Sequence, residues 1–146
     1  MLDWALRLDL MLHALIFIMS GLPILYSGDE LAQENDYTYH DDPLKSDDSR
    51  YLHRGRLDWN AAEQTHDSTT VEGKLFTQLR KTEKLRNEHR VFDSMADTWI
   101  VDTGDDRVLG IGRYYDGEKL VALFNFGEER TAVSIKEQGE IGRAHV

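Results

Sequence analysis

Cysteine is absent from the 146 residues, so disulfides, thiolate catalysis and cysteine-built zinc sites are excluded, while the compartment stays open. Positive charge is scarce as well: Lys and Arg number 17 against 27 Asp and Glu, a formal net charge of -10. Binding a phosphate backbone demands clustered cations, so nucleic acid is not expected as a partner. Long unbroken apolar runs are also missing. The uncharged stretch from Leu10 to Gly28 is interrupted by His13, Ser20, Gly21 and Pro23, which divide it into a helix-like and a strand-like part, so no membrane span is expected. The opening residues carry Asp3, Arg7 and Asp9 and lack the basic start and small-residue cleavage pattern of an export signal. What is present, 40% hydrophobic and 30% charged residues, is enough to bury the core of one domain or of two small units.

Between Trp4 and Met19, 13 of 16 positions are apolar, and Arg7, Asp9 and His13 do not define one wide polar face. The pattern predicts a helix covered on most sides, and its abrupt start suggests further sequence upstream. Gly21-Leu22-Pro23 breaks it, and Ile24-Leu25-Tyr26 reads as a short buried parallel strand. Residues 31–69 are acidic and show no period, the signature of a long loop. Ser68, Thr69 and Thr70 offer caps for a helix running to about His89, with Val71, Leu75, Leu79 and Leu85 on one side. From Thr98 the period changes to two. Strands are expected at 98–102, 107–115, 119–126 and 130–136, with turns at Thr103-Gly104-Asp105-Asp106 and Asp116-Gly117. The acids Asp36, Asp41, Asp42, Asp47 and Asp48 lack the spacing of a calcium loop, and no metal or other cofactor is implied.

Two strings carry the chemistry. The first is Gly21-Leu22-Pro23-Ile24-Leu25-Tyr26-Ser27-Gly28-Asp29-Glu30, a strand-like run that turns at Gly28 and then presents two carboxylates; the plain reading makes them turn caps. The second is Ser46-Asp47-Asp48-Ser49-Arg50-Tyr51-Leu52-His53-Arg54. The first resembles the eighth-strand signature of the α-amylase family of glycoside hydrolases and transglucosylases. The second, with Asn35-Asp36-Tyr37, is similar to the following loop in the amylosucrase-like branch, and the likeness covers most of residues 5–125.

That resemblance implies an α/β plus all-β fold class: residues 1–95 as the last βα portion of a (β/α)8 barrel (helix seven, strand eight, a long loop, helix eight), residues 96–141 as the start of a partial antiparallel β-sandwich domain, and 142–146 as a tail. It also implies retaining cleavage or transfer of α-glucosidic bonds by two carboxyl groups about 5 to 5.5 Å apart. In the family those groups follow the fourth and fifth strands, so the resemblance places no catalytic residue in this chain. His66-Asp67 has the wording of the family's further His-Asp pair but lies downstream of the strand-eight string. Sugar-pocket contacts carry over instead: Arg50 first, then Arg54 and His53, with Asp29 at the end of the first string. The expected partners are an α-glucan or sucrose substrate and the missing N-terminal part of the same barrel. Tyr51 follows Arg50 and Gly55 follows Arg54, where the branch often carries Trp and Pro, so sucrose or starch, hydrolysis or transfer, all stay open. The alternative from a different class is a non-catalytic carbohydrate-binding or structural β-module.

Overall fold

A computed structural model of the chain describes residues 2–135. The described residues resolve into two compact units, one comprising residues 2–17 and 22–85, the other residues 18–21 and 86–135.

The first unit is helical. Helix α1 spans Leu2–Ile18 and α3 spans Val71–Glu88. Phe17 of α1 meets Leu75 and Leu79 of α3, with Leu6, Leu10, Leu25 and Ala32 packed around them. Each fully buried leucine contributes about 2 kcal/mol by removal from water. The start of α3 is set by Thr70, whose hydroxyl accepts the Gly73 N–H at 3.0 Å, and by Asp67, whose carboxylate accepts from the N–H and hydroxyl of Thr69. Gly73, a mild cost to the helix in sequence terms, is here for space: a Cβ would lie 1.9 Å from the Asp67 carbonyl oxygen.

Residues 31–69, expected as a structureless loop, contain the short helix α2 (Trp59–Gln64) and single 3-10 turns at Tyr37–Asp41 and Ser49–His53. Their stabilisation is local. Asp36, Asp48 and Asp58 each sit just ahead of one of these turns and accept the backbone N–H two residues on, at 2.8 to 3.0 Å. Asp42 and Asp67 do the same at hydrogen-bonded turns, their own carbonyls accepting the N–H of Lys45 and of Thr70.

The second unit is a three-stranded antiparallel sheet in the order β1 (Asp97–Val101), β2 (Val108–Tyr115), β3 (Glu118–Asn125). Asp116 and Gly117 join β2 to β3 with φ of 46° and 86°, the left-handed pair that a tight hairpin needs. Ile111 and Phe124 are buried on one face, over which the 3-10 turn Arg90–Phe92 packs. Arg113 also lies on that face and is 0% exposed. Its guanidinium donates to the carbonyl oxygens of Val91, Ile18 and Asp93 at 2.8 to 2.9 Å and to the Ser20 hydroxyl at 3.3 Å. Arg86 donates to the carbonyls of Met19 and Gly21. Arg113 thus satisfies the last carbonyl of α1, and Arg86 two carbonyls in the segment just beyond it.

The expected fold class requires correction. Residues 22–26 form no strand: Leu22 and Ile24 are 92% and 82% exposed, and the described residues contain no parallel sheet, only the three-stranded antiparallel one. An apolar run without neighbouring strands has no ladder for its backbone groups, so the eighth strand of a barrel is not formed and no barrel portion is seen. Nor do residues 130–135 pair with the sheet, so the expected fourth strand of a β-sandwich is absent from the described part. The strand expected over 119–126 ends at Asn125, and Phe126, past its end, is 51% exposed. The end of the expected sandwich and the 142–146 tail lie outside the described residues.

Candidate functional site

Gly28 has φ 104°, a conformation that glycine alone adopts without strain, and there the chain reverses into the short 3-10 turn Asp29–Leu31. The two carboxylates that follow hold this reversal. Asp29 accepts the Tyr26 N–H at 3.1 Å, and Glu30 accepts the Gly28 N–H at 3.0 Å. Behind the turn is His13 of α1, buried, its Nδ1 donating to the Asp9 carbonyl at 3.0 Å and its Nε2 3.7 Å from the Asp29 carboxylate. Burial pushes the Asp9 carboxyl above its ordinary value; His13 opposes that rise and Asp29 adds to it.

The second segment of the site, Arg50 to Arg54, is fastened to residues 33–36 by three contacts. The Asp36 N–H donates to the Leu52 carbonyl at 2.8 Å, His53 Nδ1 donates to Asn35 Oδ1 at 3.0 Å, and the Gln33 side-chain amide reaches the Gly55 carbonyl at 3.5 Å. With Gln33 itself bonded back to Gly28 through its backbone N–H at 3.1 Å, the turn at Gly28 and the turn at Ser49–His53 are held in one piece.

The result is a single open concavity of about 430 Å³ lined by Tyr26, Asp29, Arg50, His53 and Arg54. All four residues singled out in the sequence, Asp29, Arg50, His53 and Arg54, line it. Tyr26 was not singled out, although it lies in the first string; its position one turn ahead of Asp29 was the available signal. His13 and Asn35 are not among the residues lining this concavity but contact Asp29 and His53, which are. Both were passed over, His13 because a histidine on an apolar helix reads as core.

Arg50 is held from within its own loop. Its Nε and Nη2 donate to the two oxygens of Asp48 at 2.8 and 2.7 Å, a bidentate pair, while its side chain stays 71% exposed. The same Asp48 accepts the Arg50 backbone N–H at 3.0 Å. These bonds from Arg50 hold the Asp48 carboxyl down at about 2. One aspartate therefore both starts the 3-10 turn and aims the guanidinium.

Chemically, the concavity offers donors from two arginines, an imidazole and a phenol, and acceptors from a single carboxylate, Asp29. Such a set can hold a polyhydroxylated ligand by hydrogen bonds. Retaining glycosidic chemistry needs two facing carboxyl groups, and the lining supplies one. Among the described residues no group of three or more His, Asp or Glu side chains is placed to hold a metal ion, and no helix is long and apolar enough to cross a membrane. No model of a known protein family matches the chain.

Proposed function

We propose that this chain supplies the sugar-holding part of an enzyme that cleaves or transfers α-glucosidic bonds with retention, its substrate an α-glucan or sucrose and its catalytic carboxylates contributed by polypeptide outside these residues. The observation that carries the reading is the convergence of Asp29, Arg50, His53 and Arg54 on one concavity, although Asp29 belongs to one string and the other three to another. In this reading Arg50, oriented by Asp48, donates to hydroxyls of a terminal glucose unit, Asp29 accepts from one, and His53 and Arg54 close the side. A second reading, a non-catalytic carbohydrate-binding module, draws support from the single carboxylate in the lining.

Titration of the full chain with glucose, maltose and sucrose, followed by amide chemical shifts, tests the binding common to both. Saturable shifts at Tyr26, Asp29 and His53 are expected, and Arg50→Ala should weaken them about tenfold, or roughly 1.4 kcal/mol. A broken buried charge pair would cost more, but Arg50 is largely open to water. No response to any of the three sugars would dismiss both readings. Turnover on addition of the polypeptide bearing the two carboxylates, and its loss in Arg50→Ala, would separate the enzyme from the module.

A further inference from the structure

His13 is a buried ionisable group that the sugar-holding reading leaves unused, and the fold aims it at the concavity from behind. Its Nδ1 is committed to the Asp9 carbonyl oxygen, so in the neutral ring Nε2 carries a lone pair and no proton. That nitrogen faces Asp29 Oδ2 at 3.7 Å, acceptor against acceptor and beyond hydrogen-bond length. The same Oδ2 accepts the Tyr26 N–H at 3.1 Å, and Tyr26 and Asp29 both line the concavity. We propose that His13 is the proton-binding half of a pH-sensitive latch: on protonation Nε2 gains a hydrogen, closes onto Asp29 Oδ2, and draws that carboxylate away from the Tyr26 N–H and from the concavity.

The surroundings of the ring suit a proton. Asp9 Oδ1 lies 3.5 Å from Nδ1 on the same helix, and Asp29 stands at the other nitrogen. Helix α3 meets α1 through Leu75 and Leu79, which bring no charge. Glu30 is turned onto the Gly28 N–H, and Arg7 is paired with Asp3. Arg50, His53 and Arg54 share the concavity with Asp29, but none of them forms an ion pair with it among the described residues. Histidine is the side chain that ordinarily changes charge between about pH 5 and 8, so the latch works in that window. The latch itself stands apart from the sugar-holding reading, and only its effect on ligand rests on it: with Asp29 drawn to the imidazolium, the lining loses its carboxylate acceptor and holds a polyol less well on the acid side.

The test is a titration of the full chain between about pH 5 and 8, following the His13 and His53 ring nitrogens and the Tyr26 amide by magnetic resonance. The Tyr26 amide should move with the midpoint of His13, not with that of His53. The movement should vanish in His13→Gln and in Asp29→Asn, which keeps an acceptor for the Tyr26 N–H but removes the charge. Glucose should bind about threefold more weakly at the acid end, the loss of part of one hydrogen bond, and this difference should disappear in His13→Gln. A Tyr26 amide that stays flat, follows His53 or still moves in His13→Gln would overturn the latch, as would a His13 ring that keeps one charge throughout. Equal glucose affinity at both ends would overturn its effect on ligand. The expected Tyr26 movement without glucose binding at either end would uphold the latch and dismiss the sugar-holding reading.

Discussion

Asp48 shows how much one side chain does in this chain. Its carboxylate accepts from the Arg50 backbone and from the Nε–Nη2 edge of the Arg50 guanidinium, and its pKa falls from 3.8 to about 2. A folded-state pKa below the unfolded one means that this interaction favours the folded state above pH 4 and is lost as pH falls through about 2. We expect a carboxyl carbon titration of Asp48 with its midpoint near 2, returning toward 3.8 in Arg50→Ala; an unshifted midpoint in the unmodified chain would mean that Asp48 does not orient Arg50. Arg113 is the opposite case. It is wholly buried with no carboxylate ion pair among the described residues, burial pushes its pKa down, and its donors serve three backbone carbonyls. Arg113→Met leaves those acceptors unpaired and should cost about 3 kcal/mol or more in denaturant unfolding. Arg113→Lys should recover only part of this, because an ammonium lacks the planar fork. Equal stability of the methionine variant would contradict the contact set.

The elements differ in how far local sequence determines them. Helices α1 and α3 and the β2–β3 hairpin were legible, because each depends on its own period and on the turn chemistry of Asp116-Gly117. Residues 22–26 were not: an apolar triplet specifies a buried strand only if other strands flank it. Helix α2 and the 3-10 turns escaped a search for periodicity because they are too short to have one. Their signal was the aspartate two residues ahead of a bonded N–H, a pattern repeated at Asp93, Asp102 and Asp105 in the second unit. Close approach was illegible too. The Trp99 ring lies over Gly112, its directly paired partner, so tightly that an added Cβ would be 2.1 Å from Cε2. Gly112→Ala should therefore destabilise the unit by about 1 to 3 kcal/mol. Trp99→Ala in the same chain should abolish most of the penalty, giving a measurable coupling in a double-mutant cycle. Gly73→Ala belongs to the same class. Helix propensity alone favours the alanine by about 1 kcal/mol, but the collision with the Asp67 carbonyl should reverse the sign, as thermal unfolding would show.

At the scale of the whole molecule, the surface sets two forces against each other. Trp4, Leu12 and Ile16 on α1 and Leu22 and Ile24 after it are 42 to 92% exposed. Trp4, Leu12 and Ile16 fall at four- and eight-residue spacing on one side of the helix, so they form a stripe rather than scattered positions. A stripe of this kind favours dye binding and self-association, whereas the formal charge of -10 keeps copies apart. Screening lengths fall from about 30 Å at 0.01 M salt to about 8 Å at 0.15 M, so added salt removes the repulsion and leaves the apolar attraction. The expected outcome in sedimentation is a larger mean mass at 0.5 M than at 0.01 M sodium chloride. The double variant Leu12→Lys/Ile16→Lys should hold the chain monomeric at both and reduce its binding of a hydrophobic dye. Association that instead falls with salt would mean that ion pairs, not the α1 stripe, bring the copies together.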